Sequence, residues 1–310
     1  MTFALVFPGQ GSQSLGMMNA YGDSAVVRKT FDEASAALGR DLWQLVAEGP
    51  AQALNQTVNT QPLMLTAGIA VYRLWQEKGG LVPAMVAGHS LGEYSALVAA
   101  GVLPLADAVP LVELRAKAMQ EAVPAGEGAM AAILGLDPEI IKAVCAESAQ
   151  GQVVEAVNFN APEQTVIAGH AAAVQRAADG CKAKGAKRAV MLPVSAPFHC
   201  ALMQPAAEKL KARLAELTFN APTIAVVNNI DVAVEIDPAR FKDALARQAA
   251  GPVRWVEIMR HMQAAGVTQV LECGPGKVLS GVAKRCADGI VGLAMADLAG
   301  LEAGIAAVKG

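Results

Sequence analysis

A short apolar run, Ala84–Ala87, leads straight into Gly88-His89-Ser90-Leu91-Gly92, and an apolar helical pattern, Leu91–Ala100, follows it as far as Gly101. A strand that must become a helix within one tight turn leaves few choices of architecture. It fits a strand of a sheet handing over to the helix that covers it. Glycines flank the serine because such a turn has no room for side chains on either side. The turn presents the Ser90 hydroxyl outward, above a helix N-terminus that favours developing negative charge. Ser90 is therefore a candidate nucleophile, with the backbone N–H of Leu91 as a candidate oxyanion donor. A glycine-rich turn whose serine merely caps a helix uses the same residue types. Glu93 reads as a partner of the helix dipole, not as a catalyst.

The rest of the chain alternates strand and helix patterns, the signature of an α/β protein. Thr2–Phe7 reads as a strand that ends in a glycine-rich loop, Pro8–Gly16. Helices are expected over Leu63–Lys78, Leu105–Val123, 201–217, 238–249 and 254–265, and strands over 223–228 and 268–272. Between these lies a different order. Strand Ala129–Leu134, helix Pro138–Ala149, strands Val153–Asn158 and Thr165–Gly169 around a turn at Asn160-Ala161-Pro162, helix Ala172–Lys184 and strand Ala189–Val194 make a β-α-β-β-α-β unit of ferredoxin-like type. It reads as an insertion over residues 125–195, bounded by Pro124-Ala125-Gly126 and Ser195-Ala196-Pro197. The core is then 1–124 and 196–310.

Several function classes are disfavoured. With 54% apolar and 17% charged residues the chain suits a folded globule and not a disordered one. A net charge of -3 creates no global attraction to nucleic acid, so an acidic partner would need a local basic patch. The most apolar long stretch, Ala96–Leu114, is broken by Pro104, Asp107 and Pro110, so no membrane span is expected. The start, MTFALVFPGQ, lacks a basic lead-in and reads as a strand, not a signal peptide. Cys145, Cys181, Cys200, Cys273 and Cys286 are scattered, odd in number and form no CxxC pair. They argue against a disulfide framework or zinc site and for a cytoplasmic protein.

A nucleophilic serine needs a base, and there are four histidines. His89 adjoins Ser90 on the turn, where adjacent side chains point apart. His170 ends an edge-like strand of the insertion, and His261 has polar neighbours on a surface helix. His199, in the prolyl, apolar loop Ser195-Ala196-Pro197-Phe198-His199-Cys200, is the candidate, beside the plainer reading of a satisfied structural histidine. No orienting acid is evident. Asp107, Asp137 and Asp179 all look like helix or turn caps, so an amide or a backbone carbonyl could serve in its place. Arg115 falls within an apolar helical stripe, four residues from both Leu111 and Met119. A buried cation needs an anion, either a distant carboxylate of the protein or the carboxylate of a substrate.

Taken together, Pro8-Gly9-Gln10-Gly11-Ser12-Gln13, Asn59-Thr60-Gln61-Pro62, Gly88-His89-Ser90-Leu91-Gly92-Glu93, Arg115, Phe198-His199, Gln248 with Pro252-Val253-Arg254-Trp255, and Gly274-Pro275-Gly276-Lys277 closely resemble the malonyl-CoA:acyl-carrier-protein transacylases. These are the stand-alone acyltransferases of bacterial type II fatty-acid synthesis. The resemblance runs in order along essentially the whole chain. It implies an α/β-hydrolase-like core with a parallel sheet and an inserted ferredoxin-like α+β subdomain. It also implies roles: Ser90 as acyl acceptor, His199 as its base, Arg115 on the malonyl carboxylate, the N–H groups of Gln10 and Leu91 as the oxyanion hole, and Gln248 holding His199 through a carbonyl. Gln61 and Asn158 are positional candidates for the pocket wall, and Phe198 is the residue type that malonyl-selective members favour.

The reaction so implied moves malonyl from malonyl-CoA to the phosphopantetheine thiol of holo acyl carrier protein in ping-pong fashion. It requires no metal, nucleotide or redox cofactor and works from a monomer. Carrier proteins of this kind are acidic. The basic cluster Lys182, Lys184, Lys187 and Arg188 is the candidate docking patch, with an ordinary solvated helix end as the alternative. The rival readings are an acyltransferase of a polyketide pathway and a serine thioesterase or esterase. Gly274-Pro275-Gly276-Lys277-Val278 is no phosphate loop, since Leu271 stands where that motif needs its first glycine and Val278 where it needs a hydroxyl. It should close a strand–helix turn.

Overall fold

The computed structural model describes residues 2–310. The chain runs β1 (Phe3–Phe7), α1 (Ala25–Leu38), α2 (Leu42–Glu48), α3 (Ala51–Leu54), α4 (Thr57–Glu77), β2 (Met85–Gly88), α5 (Gly92–Ala99) and α6 (Leu105–Glu121). The middle section is β3 (Gly128–Leu134), α7 (Pro138–Ala149), β4 (Val154–Ala161), β5 (Gln164–His170), α8 (Ala171–Ala183) and β6 (Arg188–Met191). It then returns through α9 (Gln204–Glu216), β7 (Ala225–Val227), α10 (Pro238–Ala249), α11 (Trp255–Ala264), β8 (Gln269–Glu272), α12 (Val278–Cys286), β9 (Val291–Ala294) and α13 (Leu298–Lys309).

Five strands form one sheet in the order β7-β2-β1-β8-β9, and every pairing in it is parallel. A parallel sheet is covered on both faces, so its strands are mainly apolar. β1 shows how this works. Phe3, Leu5 and Phe7 point into the larger core, built with α1, α4, α5 and α6, whereas Ala4 and Val6 point into a smaller one with α11 and α12. The two-residue period of a strand thus divides one run between two layers. The expected α/β class is observed.

The second sheet is antiparallel, in the order β4-β5-β3-β6. Its strand order and its two helices are those of the expected ferredoxin-like unit. Ile133, Ile167, Ile141, Val174 and Cys181 fill the space between the sheet and the pair α7 and α8. Met130, Val166 and Ala168 on the opposite face pack with Phe198 and Cys200. This apolar contact places the loop that carries His199. A second seam joins the layers through backbone bonds: Val253 N donates to Val157 O at 2.8 Å, and Phe159 N donates to Val253 O at 3.0 Å.

Some expectations need correction. The helix expected over Leu63–Lys78 starts six residues earlier, at Thr57, with Pro62 inside it. Proline leaves the carbonyl four residues back without its helical donor. That carbonyl, of Val58, accepts from Arg40 Nη2 instead, at 3.4 Å. β4 runs on to Ala161, through irregular pairing at Ala156/Asn158 and Phe159/Ala161, so the turn falls after the expected position. β5 lies between β4 and β3, so His170 ends an interior strand and not an edge; its Nδ1 accepts from Val153 N at 3.0 Å. The segment after Gly274 does close a turn, from β8 into α12.

Candidate active site

β1 and β2 are neighbours at the middle of the parallel sheet, and their carboxyl ends lead into Pro8–Gln10 and Gly88–Ser90. Ligand sites of open α/β sheets form in this place. The turn after β2 is as tight as its glycines suggested. A Cβ on Gly88 would lie 1.9 Å from the Gly92 carbonyl, and one on Gly92 would lie 2.1 Å from the Phe7 carbonyl oxygen. Ser90 itself has φ 52°, in the left-handed region that costs a non-glycine residue about 1 kcal/mol or more. Asn229 splints this conformation. Its Oδ1 accepts from Ser90 N at 2.8 Å, and its Nδ2 donates to Gly88 O at 2.7 Å.

His199 also has a positive φ, 67°, which turns its ring from the Phe198 loop toward the serine. Ser90 Oγ lies 2.6 Å from His199 Nε2, and His199 Nδ1 lies 2.9 Å from the carbonyl oxygen of Gln248. A carbonyl only accepts, so Nδ1 carries the proton and Nε2 offers its lone pair to the serine hydroxyl. Burial, and then the charge of Arg115, push the His199 pKa down to about 3, so the ring is a neutral base. His89 points elsewhere. Its Nε2 lies 2.7 Å from Asn160 Oδ1, its ring is tilted against Trp255 with centroids 5.6 Å apart, and burial lowers its pKa.

Arg115 is only 2% exposed. Nη1 donates to Gln61 Oε1 at 2.8 Å, and Nη2 donates to Ser90 Oγ at 3.1 Å and to Gln248 Oε1 at 2.9 Å. All three acceptors are neutral, and no carboxylate among the described residues pairs with the guanidinium. Its Nε makes no hydrogen bond. The structure therefore holds a buried cation against the serine hydroxyl with amides on its other sides. Such a cation is satisfied best by an anion arriving from outside.

The cavity over Ser90 encloses about 140 Å³. Gln10, Leu91, Gln61, Asn158 and Phe198 line it with Ser90, Arg115 and His199, so it gathers every expected pocket residue except Gln248. Gln248 is fully buried behind Arg115. Neither Gln10 nor Leu91 donates its backbone N–H to another group among the described residues, which leaves both free for an oxyanion. The expected docking cations lie elsewhere. Lys187 is 3.7 Å from Glu163 and Lys182 is 3.5 Å from Asp179, and both pairs are exposed; Arg188 opens β6.

Two residues with larger parts than the sequence suggested are Asn229 and Glu93. Glu93 does stand in the first turn of α5, but it is 1% exposed, and burial raises its pKa to about 7 against bonds from Gln248 and Asn229. A glutamate inside the apolar helix start was the available signal. Asn229 carried none, because it lies 139 residues from the serine it supports.

Comparison with known proteins gives a consistent picture. The family model described as "Acyl transferase domain" matches residues 4–302. The chain is 58% identical over 304 residues to the malonyl CoA-acyl carrier protein transacylase of Escherichia coli (strain K12), covering 98% of each chain. The crystal structure of acyl-carrier-protein S-malonyltransferase from Burkholderia pseudomallei 1710b superposes with a TM-score of 0.97 at 61% identity, covering 99% of this chain and 100% of that one. A malonyl-transacylase solved in complex with its type II PKS acyl-carrier protein has a TM-score of 0.97 at 53% identity, with the same coverage.

Proposed function

The chain belongs to the acyl transferase domain family, and on that premise we propose that it carries malonyl from coenzyme A to an acyl carrier protein as an ester of Ser90. The observation that carries this reading is Arg115, a buried cation with neutral partners only, 3.1 Å from the Ser90 hydroxyl. A malonyl ester on Ser90 would bring a carboxylate to it.

The chemistry follows from the geometry. His199 Nε2 takes the Ser90 proton as Oγ attacks the thioester carbonyl. The negative charge on the carbonyl oxygen meets the N–H groups of Gln10 and Leu91, where loss of one donor costs about 10²–10³-fold in rate. The C–S bond breaks, and the coenzyme A sulfur leaves with the proton from His199. The phosphopantetheine thiol of the carrier then gives its proton to His199 and attacks the ester carbonyl; the C–Oγ bond breaks, and His199 returns the proton to Ser90 Oγ. One thioester is exchanged for another, and no step uses a metal or redox cofactor. A single copy of the chain holds every residue named. The five cysteines are free and buried, which suits a reducing, cytoplasmic setting.

The relative solved with a type II PKS acyl-carrier protein gives the reading a second candidate partner, a polyketide carrier, beside the fatty-acid carrier of the main reading. The chemistry at Ser90 is the same for both, so the cognate carrier decides between them.

The test is intact mass after mixing with malonyl-CoA or acetyl-CoA, followed by addition of holo carrier. The expected result is a malonyl adduct on the wild type that Ser90→Ala lacks and that the carrier removes as malonyl carrier. An adduct that persists in Ser90→Ala would sink the nucleophile. Release of free malonate faster than transfer would favour a thioesterase.

A further inference from the structure

Glu93 lies three residues beyond Ser90, buried in the first turn of α5 and outside the lining of the cavity. Its Oε2 accepts two hydrogen bonds, from Asn229 N at 3.0 Å and from Gln248 Nε2 at 2.9 Å. The same Gln248 nitrogen donates to the Ser90 carbonyl at 2.9 Å, and Gln248 Oε1 accepts from Arg115 Nη2 at 2.9 Å. One side-chain amide therefore stands between a buried carboxyl group and a buried guanidinium.

The order of this chain of bonds has a consequence. A glutamine amide turned over keeps its shape and exchanges its donor and acceptor ends, so only its partners decide which end faces where. Turned over here, Nε2 would face the Arg115 guanidinium, donor against donor. Oε1 would face Glu93 Oε2 and the Ser90 carbonyl, acceptor against acceptor. The Ser90 carbonyl is a neutral acceptor, and Arg115 is the group to be oriented. Glu93 is the rigid end, because Asn229 N fixes the same oxygen that receives Gln248. A carboxylate in direct contact with Arg115 would compete with an incoming one. With the amide between them, the guanidinium is oriented but not neutralised at contact distance.

We propose that Glu93 is a positioning residue for acyl selectivity: through the Gln248 amide it holds the Arg115 guanidinium in the orientation that receives the carboxylate of the acyl group. This rests on the malonyl reading above. It assigns to Glu93 no contact with substrate and no proton transfer. The essential property is an acceptor at the position of Oε2, which a glutamine can also supply.

The experiment measures kcat/KM for acylation of Ser90 by malonyl-CoA and by acetyl-CoA in single turnovers. Glu93→Met keeps the volume and removes the acceptor. The malonyl-to-acetyl ratio is expected to fall about tenfold or more, the effect of losing a hydrogen bond that orients a charged group. Glu93→Gln should keep the ratio within about threefold of wild type, its amide oxygen taking the place of Oε2. Combining Glu93→Met with Gln248→Met should lower the ratio no further than Gln248→Met alone, because Glu93 acts only through Gln248. Where Glu93→Met gives no cooperative melt, Glu93→Ala and Glu93→Ser carry the same expectation. An unchanged ratio in a folded variant that lacks the acceptor overturns the proposal, as does an equal loss with both donors. An additive double variant, or a Glu93→Gln variant as impaired as Glu93→Met, also overturns it. A wild type that forms no malonyl adduct is a separate outcome, and it removes the malonyl reading itself.

Discussion

Nδ1 of His199 is bound to the backbone carbonyl of Gln248 at 2.9 Å, so a peptide group, not a carboxylate, orients this imidazole. The bond fixes the tautomer as a carboxylate would, but it brings no negative charge to stabilise an imidazolium. Arg115 lies on the other side with a positive charge. In the proposed mechanism the ring would hold a proton only briefly, between the attack of the serine and the departure of the thiol. Gln248 also serves the guanidinium through its side chain, which ties base and cation to one residue.

The acid side of the pH profile should show this. In the folded protein His199 stays neutral until about pH 3, whereas in an unfolded chain it would take a proton near its ordinary value of 6.5. Stability from this group is complete above that value and declines as pH falls from there toward 3, where the unfolded chain binds the extra proton. The acid limb of kcat/KM for acylation should accordingly lie well below 6.5. A bound malonyl carboxylate offsets the charge of Arg115, so the limb in kcat should lie at higher pH than the limb in kcat/KM. Single-turnover profiles measure both. A kcat/KM limb at 6.5 or above would contradict the buried neutral base.

Replacing Arg115 tests the cation directly. Arg115→Ala should lower malonyl transfer by about 10²–10³-fold, the scale of an unanswered charge in a closed site. Acetyl transfer, which has no carboxylate to place, should fall far less or rise. The same substitution removes a positive charge near His199 and should move its acid limb upward. Parallel losses with both donors would show Arg115 to be structural.

Much of this arrangement was legible in the sequence because the signals are local. The flanking glycines of Ser90, the strand before it and the helix after it lie within one short stretch, and steric exclusion at Gly88 and Gly92 accounts for them. Arg115 revealed itself as a charge on an apolar stripe. The ferredoxin-like unit showed as a change in the order of strands and helices. Other parts were hidden. Residues 17–62 and those after 277 show no clear strand or helix pattern, although Gln61 stands out within the first of them, and there the structure places α1, α2, α3, α12, β9 and α13. The start of α4 was missed because Pro62 reads as a breaker, and only the distant Arg40 supplies the lost donor. The Asn229 and Glu93 bonds join segments more than 130 residues apart, a distance at which periodicity and spacing say nothing.

Asn229 should matter for stability and for rate together. Asn229→Ala leaves Ser90 N without its acceptor and Gly88 O without its donor, in a turn already held at positive φ. An orphaned buried polar group costs about 1–3 kcal/mol, so the melting temperature should drop by several degrees. Acylation should slow as well, because the Ser90 backbone is no longer fixed. Thermal melts and burst kinetics on the same preparation check both. A melting temperature equal to that of wild type would show that the elbow needs no splint.

Docking of the carrier is the part of the reading farthest from Ser90. Lys187 pairs with Glu163 at 3.7 Å, and both side chains are largely exposed. An exposed pair of this kind contributes about 0–1 kcal/mol, so Lys187 can leave Glu163 for an acidic partner at little cost. Arg188 is exposed beside it at the start of β6, the edge strand of the antiparallel sheet. Reversing both charges, Lys187→Glu with Arg188→Glu, should raise the KM for the holo carrier several-fold at low ionic strength. The difference should shrink as salt is added, since the Debye length falls to about 3 Å at 1 M. Acylation by malonyl-CoA is the internal reference: the change belongs to the second half-reaction, in which the carrier takes part. A carrier KM equal to wild type at low salt would move the docking surface away from this edge of the sheet.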